Sequence, residues 1–299
     1  MKLGKRLLLV VTVAAAAVAG VVQPTYATSG ETTVSGFTVP ESAIHDPYTD
    51  RYYVSNAGNG PGAPAAPGAI SALKPDGNVI NYKWIDGANP QTPLNDPLGM
   101  AVYAGKLYVA DIDYVRVFSV FTGQNLANIH VSGATWFNDV TPYLDGVLVT
   151  DSGYNFNTGT QTTTDAVYKI NGFTNQATKV ASTPQLAKNP NGILYIPGRG
   201  VLVNSIASPT VQRLQPITWQ LSDFATLPEV GFDGIAKLGN TLYQDNPFTG
   251  HLYKTDLTTK VTTLIGTYPD YPADLNADTW RNRLLIPHLK GNYITIKQM

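Results

Sequence analysis

Six short motifs recur along the sequence, and five of them carry an oxygen-bearing side chain at the same position. Each motif is followed by a short turn and an apolar, β-type segment. In chain order the motifs are Pro40-Glu41-Ser42-Ala43, Pro97-Leu98-Gly99-Met100, Phe137-Asn138-Asp139-Val140, Pro190-Asn191-Gly192-Ile193, Phe232-Asp233-Gly234-Ile235 and Ala273-Asp274-Leu275-Asn276. If the copies are equivalent around one axis, the oxygens of their second residues converge on one place.

Those second residues suit a cation. Three are carboxylates, which repel one another when buried, and no Lys or Arg occupies the same position to neutralise them. Carboxylate and amide oxygens without His or Cys favour a hard ion such as Ca²⁺ or Mg²⁺ over zinc, and amide oxygens with larger coordination numbers favour Ca²⁺. Such an ion would polarise an ester or phosphoryl oxygen, orient a water nucleophile or hold the structure together.

We predict four residues of this set as metal ligands, namely Glu41, Asn138, Asn191 and Asp233. Asn-Gly and Asp-Gly pairs are also common turn signals, so Asn191 or Asp233 taken singly could serve a turn. Their shared position with Glu41 and Asn138 favours the metal site. Asp274 could instead cap a strand and is predicted only to lie at the mouth of the site. Leu98 breaks the pattern and contributes no ligand.

The segments after the motifs predict the strands that position this set. Second strands are expected at 52–55, 107–110, 147–150, 201–204, 241–244 and 284–287, each after a turn signal. The motifs are spaced by 57, 40, 53, 42 and 41 residues. Periods near 40 with several strands each are typical of a β-propeller. We therefore predict an all-β, six-bladed propeller, with five blades, seven blades or a β-sandwich as the alternatives.

The two ends of the chain predict how the ring closes. From Ala273 to the C-terminus only three strands fit, whereas residues 32–39 alternate as a strand should. An N-terminal strand added to the last blade would complete it and remove an exposed sheet edge.

The ends of the second strands should lie on the same face as the motifs, because the start of one strand in an antiparallel hairpin lies beside the end of the next. Three residues there are predicted to line the mouth, namely Asp111, Asp151 and His288. Trp136 either walls a pocket or packs between blades. Two long loops, 57–68 and 152–164, leave from this face, where binding residues are usually found.

Composition and the N-terminal segment predict where the protein is located and exclude some classes of function. A basic start, an apolar middle and a small-residue exit predict a signal peptide at residues 1–27, cleaved after Ala27 or alternatively Ala19, and hence a secreted or periplasmic protein. An uncleaved membrane anchor is the alternative. Residues 28–299 would form one propeller domain.

A net charge of -1 gives no basic stripe for nucleic acid, and the absence of cysteine excludes disulfides and thiol chemistry.

Four of the motifs stand in a recognisable order, namely Pro40-Glu41 with the following Asp46-Pro47, Phe137-Asn138-Asp139, Pro190-Asn191-Gly192 and Phe232-Asp233-Gly234. With the six-fold repeat they resemble the gluconolactonase/regucalcin/luciferin-regenerating-enzyme family of six-bladed propellers, and more distantly diisopropyl-fluorophosphatase and the paraoxonases. The resemblance covers the whole mature chain. It implies a divalent metal, usually Ca²⁺ or Zn²⁺, on Glu41, Asn191 and Asp233. It also implies Asn138 beside metal and substrate, and Asp233 as base or nucleophile.

The sequence departs from that family at two places. Sugar-lactone members carry an Arg just before Asn-Asp, whereas this chain has the run Ala134-Thr135-Trp136-Phe137, and Ser42 replaces the usual Gly after Glu.

The function predicted is hydrolysis of a small lactone or related ester, with Asp233 and Asn138 as catalytic residues. A non-catalytic propeller that binds a ligand or protein, with a structural metal or none, is the alternative. A strictosidine-synthase-like enzyme would need an acid–base group, for which only His288 is a candidate.

Overall fold

The computed structural model describes residues 30–60 and 66–299, and these residues form six four-stranded antiparallel sheets. The predicted signal peptide lies outside the described residues. No helix among the described residues is long and apolar enough to cross a membrane. The sheets are the blades of a six-bladed β-propeller, so the predicted fold class is confirmed.

The first three blades follow the chain in order from the innermost strand outward. Blade 1 contains β2 (Pro40–Asp46), β3 (Arg51–Asn56), β4 (Ala69–Leu73) and β5 (Val79–Asp86). Blade 2 contains β6 (Pro97–Tyr103), β7 (Lys106–Asp111), β8 (Tyr114–Ser119) and β9 (Asn125–His130). Blade 3 contains β10 (Phe137–Tyr143), β11 (Gly146–Asp151), β14 (Ala166–Asn171) and β15 (Ala177–Ser182), and its long loop forms a small hairpin of β12 (Tyr154–Asn155) and β13 (Thr160–Gln161).

The last three blades repeat the pattern, and the sixth borrows a strand from the start of the chain. Blade 4 contains β16 (Pro190–Ile196), β17 (Gly200–Ser205), β18 (Thr210–Leu214) and β19 (Leu221–Thr226). Blade 5 contains β20 (Ile235–Leu238), β21 (Thr241–Asn246), β22 (His251–Asp256) and β23 (Thr262–Thr267). Blade 6 contains β24 (Asn276–Asp278), β25 (Arg283–His288), β26 (Tyr293–Gln298) and β1 (Glu31–Ser35).

The hydrophobic core lies between the blades rather than at the axis. Six clusters of buried apolar side chains occur, and each draws its members from two neighbouring blades. Each innermost strand contacts the innermost strand of the next blade, and β24 contacts β2, so the ring is closed. Because apolar surface is buried between sheets, the axis is left to the polar residues that begin the innermost strands.

Closure by the N-terminal strand is confirmed. β1 pairs with β26 in an antiparallel register that runs from Glu31 opposite Lys297 to Ser35 opposite Tyr293. Val34 of β1 packs into the cluster shared by blades 6 and 1.

Disrupting this closing strand should destabilise the whole ring. We expect Val34→Asp to lower the free energy of unfolding by about 2–4 kcal/mol, because it places a charge in an apolar cluster and weakens the strand that covers the outer edge of β26. Thr32→Asp is the matched control, since Thr32 lies on the same strand with its side chain exposed. Thermal unfolding measures both, and equal melting temperatures for the two variants would contradict this account of closure.

Candidate metal centre

A β-bulge sets the direction of the motif residues in the first four blades. In blade 1, Pro40 pairs with Asn56 and Ala43 with Val54, so that Glu41 and Ser42 together oppose the single residue Ser55. The same shift in register follows the first motif residue in β6, β10 and β16. Bulges twist a strand and re-aim side chains, and they are frequent beside active sites. Here they interrupt the alternation of each strand at the residue that reaches the axis.

Glycine in the third motif position lets neighbouring motifs touch. A Cβ on Gly192 would lie 2.3 Å from the carbonyl oxygen of Asp233, and a Cβ on Gly234 would lie 2.3 Å from the backbone nitrogen of Leu275. Gly192 also donates a backbone hydrogen bond of 3.0 Å to the Asp233 carbonyl. The second residues of consecutive blades are therefore held against one another around the axis.

The second residues bring buried oxygen atoms without partners to this axis. Among the described residues, no hydrogen bond reaches Glu41 Oε2, Asn138 Oδ1, Asn191 Oδ1, Asp233 Oδ1 or Asp274 Oδ2. The side chains involved are between 1% and 7% exposed. Leu98, the sixth member, packs instead into the apolar cluster between blades 2 and 3. Unsatisfied buried polar atoms are rare in folded proteins, and a bound ion is one explanation for a group of them.

Electrostatics at the axis are dominated by carboxyl groups. Burial, followed by the neighbouring Asp274 carboxylate, raises the pKa of Asp233 to about 8, although the Asn191 amide beside it acts in the opposite sense. Burial also raises the pKa of Asp274 to about 7. The pKa of Glu41 is raised well above its usual range by burial and then by Asp233 and Asp274. These side chains lie close enough to oppose one another's ionisation.

Two further carboxyl groups belong to this cluster and were not predicted. Asp245, near the end of β21, is fully buried, and neither of its carboxylate oxygens has a hydrogen-bond partner among the described residues. Burial, and then Asp233 and Asp274, raise its pKa. Asp139 accepts a backbone hydrogen bond of 2.7 Å from Ile193, which ties blade 3 to blade 4, and one of 2.6 Å from Val140 in its own strand. Burial and Asp274 raise its pKa as well.

The cluster contains five buried carboxyl groups that oppose one another's ionisation, together with amide oxygens. Such a set of oxygen donors fits a hard cation. Within the described part of the chain, no group of three or more His, Cys, Asp or Glu side chains is placed to hold one ion. A cation bound here would therefore need the amide oxygens of Asn138 and Asn191 in addition to Glu41 and Asp233. The four residues predicted from the sequence supply this mixture of carboxylate and amide oxygens, so they fit a hard cation.

The residues that end the second strands hold the loops that lead into the motifs. Asp111 accepts hydrogen bonds from the backbone of Asn95 and Asp96, and it forms a 2.7 Å ion pair with Arg116. Asp151 accepts a backbone hydrogen bond of 3.1 Å from Trp136 in the same way. Both carboxylates are fully buried, and each holds the backbone of the loop that precedes its motif.

His288 is the equivalent residue of blade 6, and it too is engaged. Its Nδ1 lies 3.1 Å from the carbonyl oxygen of Pro269, and its Nε2 lies 2.9 Å from the hydroxyl of Thr295. Burial lowers its pKa to about 4. Both ring nitrogens are occupied, so His288 is not placed as the acid–base group that was considered from the sequence.

Trp136 packs between blades and contacts the hairpin inside the long loop of blade 3. Its side chain lies against the apolar cluster of blades 2 and 3 and meets Tyr154 of β12 edge-on, with ring centroids 5.6 Å apart. The indole also lies beside Asp96, whose pKa rises to about 6 through burial and then through Asp111, while Trp136 opposes that rise. Among the described residues, neither Trp136 Nε1 nor Asp96 Oδ2 has a hydrogen-bond partner.

Solved structures of propellers resemble this chain at low sequence identity. A protein provisionally assigned as a gluconolactonase has a TM-score of 0.65 and 14% identity, over 90% of this chain and 93% of its own. A catalytically inactive virginiamycin B lyase from Staphylococcus aureus, a histidine-to-alanine variant with quinupristin, has a TM-score of 0.60 and 11% identity, over 90% and 99%. A protein of unknown function from Bacteroides thetaiotaomicron has a TM-score of 0.65 and 12% identity, over 88% and 70%.

No family model and no curated protein matches the sequence. At these identities the structural neighbours show the fold alone. Because propellers host unrelated functions, the function has to be argued from the site.

Proposed function

We propose that this chain is an exported, metal-dependent hydrolase of the gluconolactonase type, which acts on a small lactone or related ester. The divalent ion would be Ca²⁺, held by Glu41, Asn138, Asn191 and Asp233. The observation that carries the proposal is the convergence of their unpartnered oxygens in a buried acidic channel. When bound, the ion would supply Lewis-acid polarisation of the substrate carbonyl.

The residues themselves account for the proton movements of hydrolysis. Asp233 would accept a proton from the attacking water and return it to the alcohol that leaves, and Asn138 would orient the substrate carbonyl. A general base must have a pKa near the working pH, and burial together with the neighbouring Asp274 raises the pKa of Asp233 to about 8. Bound cation would lower this value again, so the carboxylate form would be available at neutral pH.

The surroundings favour a neutral substrate over an anionic one. The position where sugar-lactone enzymes of the family carry Arg is in the run of residues 134–137, which has no basic residue. The side chains of Leu98 and Trp136 both pack into the apolar cluster between blades 2 and 3, next to that run. A lactone or ester with an apolar substituent therefore suits this mouth better than a polyhydroxylated or charged one.

A lyase function of the kind named for the staphylococcal neighbour has less support. That neighbour is inactive with its histidine replaced by alanine. The four histidines of this chain all have partners away from the acidic cluster: His45 with Asp50, His130 with Asp113, His251 with Glu229 and His288 with Thr295. None of them is placed to serve as a general acid or base at the axis.

A non-catalytic binding module with a structural metal remains the second candidate, and one observation favours it. The ring oxygens are almost closed off, whereas a surface concavity of about 650 Å³ lies between outer strands of blades 1 and 2, lined by residues including Trp84, Asp86 and Gln124. That concavity would suit a partner on the side of the propeller.

Hydrolysis assays separate the two candidates. The purified chain, loaded with Ca²⁺, should hydrolyse at least one member of a panel of γ-butyrolactone, δ-valerolactone and phenyl acetate, and a chelator should abolish the activity. If the calcium-loaded protein is inert towards the whole panel, the binding module is the better description.

A further inference from the structure

One aromatic residue beside the metal centre has an unusual backbone. Tyr271 lies in the loop from β23 to the last motif, and both Asp270 and Tyr271 have positive φ angles, of 66° and 65°. Residues other than Gly and Asn rarely adopt this conformation, and consecutive bulky cases indicate a loop held in place by its surroundings. Strain of this kind clusters at functional sites, where it sets the direction of a side chain.

The surroundings fix both the backbone and the ring of Tyr271. Leu289 and Lys290 donate backbone hydrogen bonds of 3.0 Å to the carbonyls of Tyr271 and Asp270. The ring meets Phe248 edge-on at a centroid distance of 5.6 Å, and the Lys290 ammonium lies 4.3 Å from its centroid. Phe248 is itself packed on Gly231, where a Cβ would lie 2.7 Å from Phe248 Cδ2. The phenol is thus rigidly oriented.

Its hydroxyl group is left available. Within residues 30–60 and 66–299, the Tyr271 hydroxyl makes no hydrogen bond and is not sealed from solvent. Phe248, which contacts the ring, packs on Gly231, two residues before Asp233, and Tyr271 itself stands three residues before Asp274. The hydroxyl is therefore an unused hydrogen-bond donor in the loops that lead into these two carboxyl groups.

We propose that Tyr271 is a catalytic residue of the proposed hydrolase, whose hydroxyl donates a hydrogen bond to the oxyanion of the tetrahedral intermediate. This inference rests on the proposed function. A fixed donor that is not used in the free protein gains its partner only when negative charge develops on the substrate, which is how oxyanion donors accelerate acyl transfer.

The step balances as follows. The water oxygen forms a bond to the carbonyl carbon, the water proton passes to Asp233, and the carbonyl π electrons move to the oxygen that accepts from Tyr271. The carbonyl then re-forms, the bond from carbon to the ester oxygen breaks, and the leaving alkoxide takes the proton from Asp233. The products are the carboxylic acid and the alcohol, and Tyr271 keeps its proton throughout.

The experiment compares the wild-type chain with Tyr271→Phe on the panel substrate that the wild type hydrolyses fastest, both loaded with Ca²⁺. The variant keeps the ring and its contacts with Phe248 and Lys290, so its melting temperature and calcium content should be unchanged. We expect kcat to fall about 10²-fold with KM little changed, which is the signature of an interaction made only in the transition state.

Tyr293→Phe is the matched control, because the Tyr293 hydroxyl already donates a hydrogen bond of 3.4 Å to Asp270 Oδ2 in the same loop. It should keep kcat within about threefold of the wild type. A wild-type kcat in Tyr271→Phe, or an equal loss in both variants, overturns the inference but leaves the proposed function intact. An inert wild-type protein overturns the proposed function and the inference with it.

Discussion

Asp233→Asn is expected to reduce kcat for lactone hydrolysis by about 10³-fold or more. The amide is nearly isosteric and keeps an oxygen for the ion, but it cannot accept the proton of the attacking water, and general base catalysis contributes typically 10²–10⁴-fold. The change also removes one charge from a cluster in which Asp274 and Glu41 are immediate electrostatic neighbours. The fold should survive, since Asp233 Oδ1 has no hydrogen-bond partner to lose among the described residues.

Asp223→Asn provides the matched control for this prediction. Asp223 lies on the outer strand β19 with an exposed side chain, so the same chemical change there should leave kcat unaltered. Steady-state kinetics with calcium in excess measures both variants. If Asp233→Asn keeps more than a tenth of the wild-type kcat with calcium bound, Asp233 is not the base.

Metal-free protein should become less stable as the pH rises from 5 to 8.5, which is the reverse of the usual behaviour of carboxyl groups. The pKa values of Asp233 and Asp274 in the folded state, about 8 and about 7, lie above the value near 3.9 of an unfolded Asp. The folded state therefore binds more protons over this interval, and the free energy of unfolding falls as those protons leave. For one carboxyl shifted by about four units the loss is on the order of 5 kcal/mol.

Bound calcium should remove most of this dependence, because the ion takes over from the protons in balancing the charges. Thermal unfolding as a function of pH, with chelator and with calcium, measures the difference. Asp245→Asn sharpens the test, since it deletes a buried carboxyl without hydrogen-bond partners and should raise the melting temperature of the metal-free protein at pH 8. A metal-free protein whose stability is flat or rises between pH 5 and 8.5 would contradict the account of a strained acidic cluster.

The architecture could be predicted from the sequence because local signals repeat. Each blade begins with a motif that is followed by a turn, and the alternation of residues 32–39 was sufficient to predict that an N-terminal strand closes blade 6, where the structure has β1 at Glu31–Ser35. The sequence predicted less of the architecture where strands are short or where a loop forms its own hairpin. β20 and β24 begin only at the last residue of their motifs, and the hairpin of β12 and β13 forms inside a loop that has no strong apolar pattern.

Only part of the acidic cluster could be predicted from the sequence, because the β-bulges decide which side chains reach the axis. The motifs identified which position reaches the axis, but alternation alone does not tell whether Asn138, Asp139 or both do so. The bulge in β10 places them opposite a single residue and brings both into the cluster. Similarly, Asp245 and Asn246 end the same strand, and only the register shows that Asp245 belongs to the cluster whereas Asn246 bonds to the loop before its motif.

The roles of Asp111, Asp151 and His288 could not be separated from those of mouth residues by sequence. All three stand on the expected face, but a contact with the backbone of the preceding loop is a tertiary feature. Once such a contact is made, the side chain is buried and satisfied, which distinguishes it from the unpartnered oxygens at the axis. The presence or absence of a hydrogen-bond partner therefore distinguishes these three residues from the motif residues at the axis.

The most direct test of the metal centre is a measurement of calcium binding by the purified, chelator-treated mature chain. Titration calorimetry should show one tightly bound Ca²⁺ per chain, and both Glu41→Gln and Asp233→Asn should weaken it by at least about tenfold, while Asp223→Asn should not. Calcium at about 1,000 times its dissociation constant should then stabilise the fold by about 4 kcal/mol. No heat of binding and the same melting temperature with and without calcium would contradict the existence of this centre.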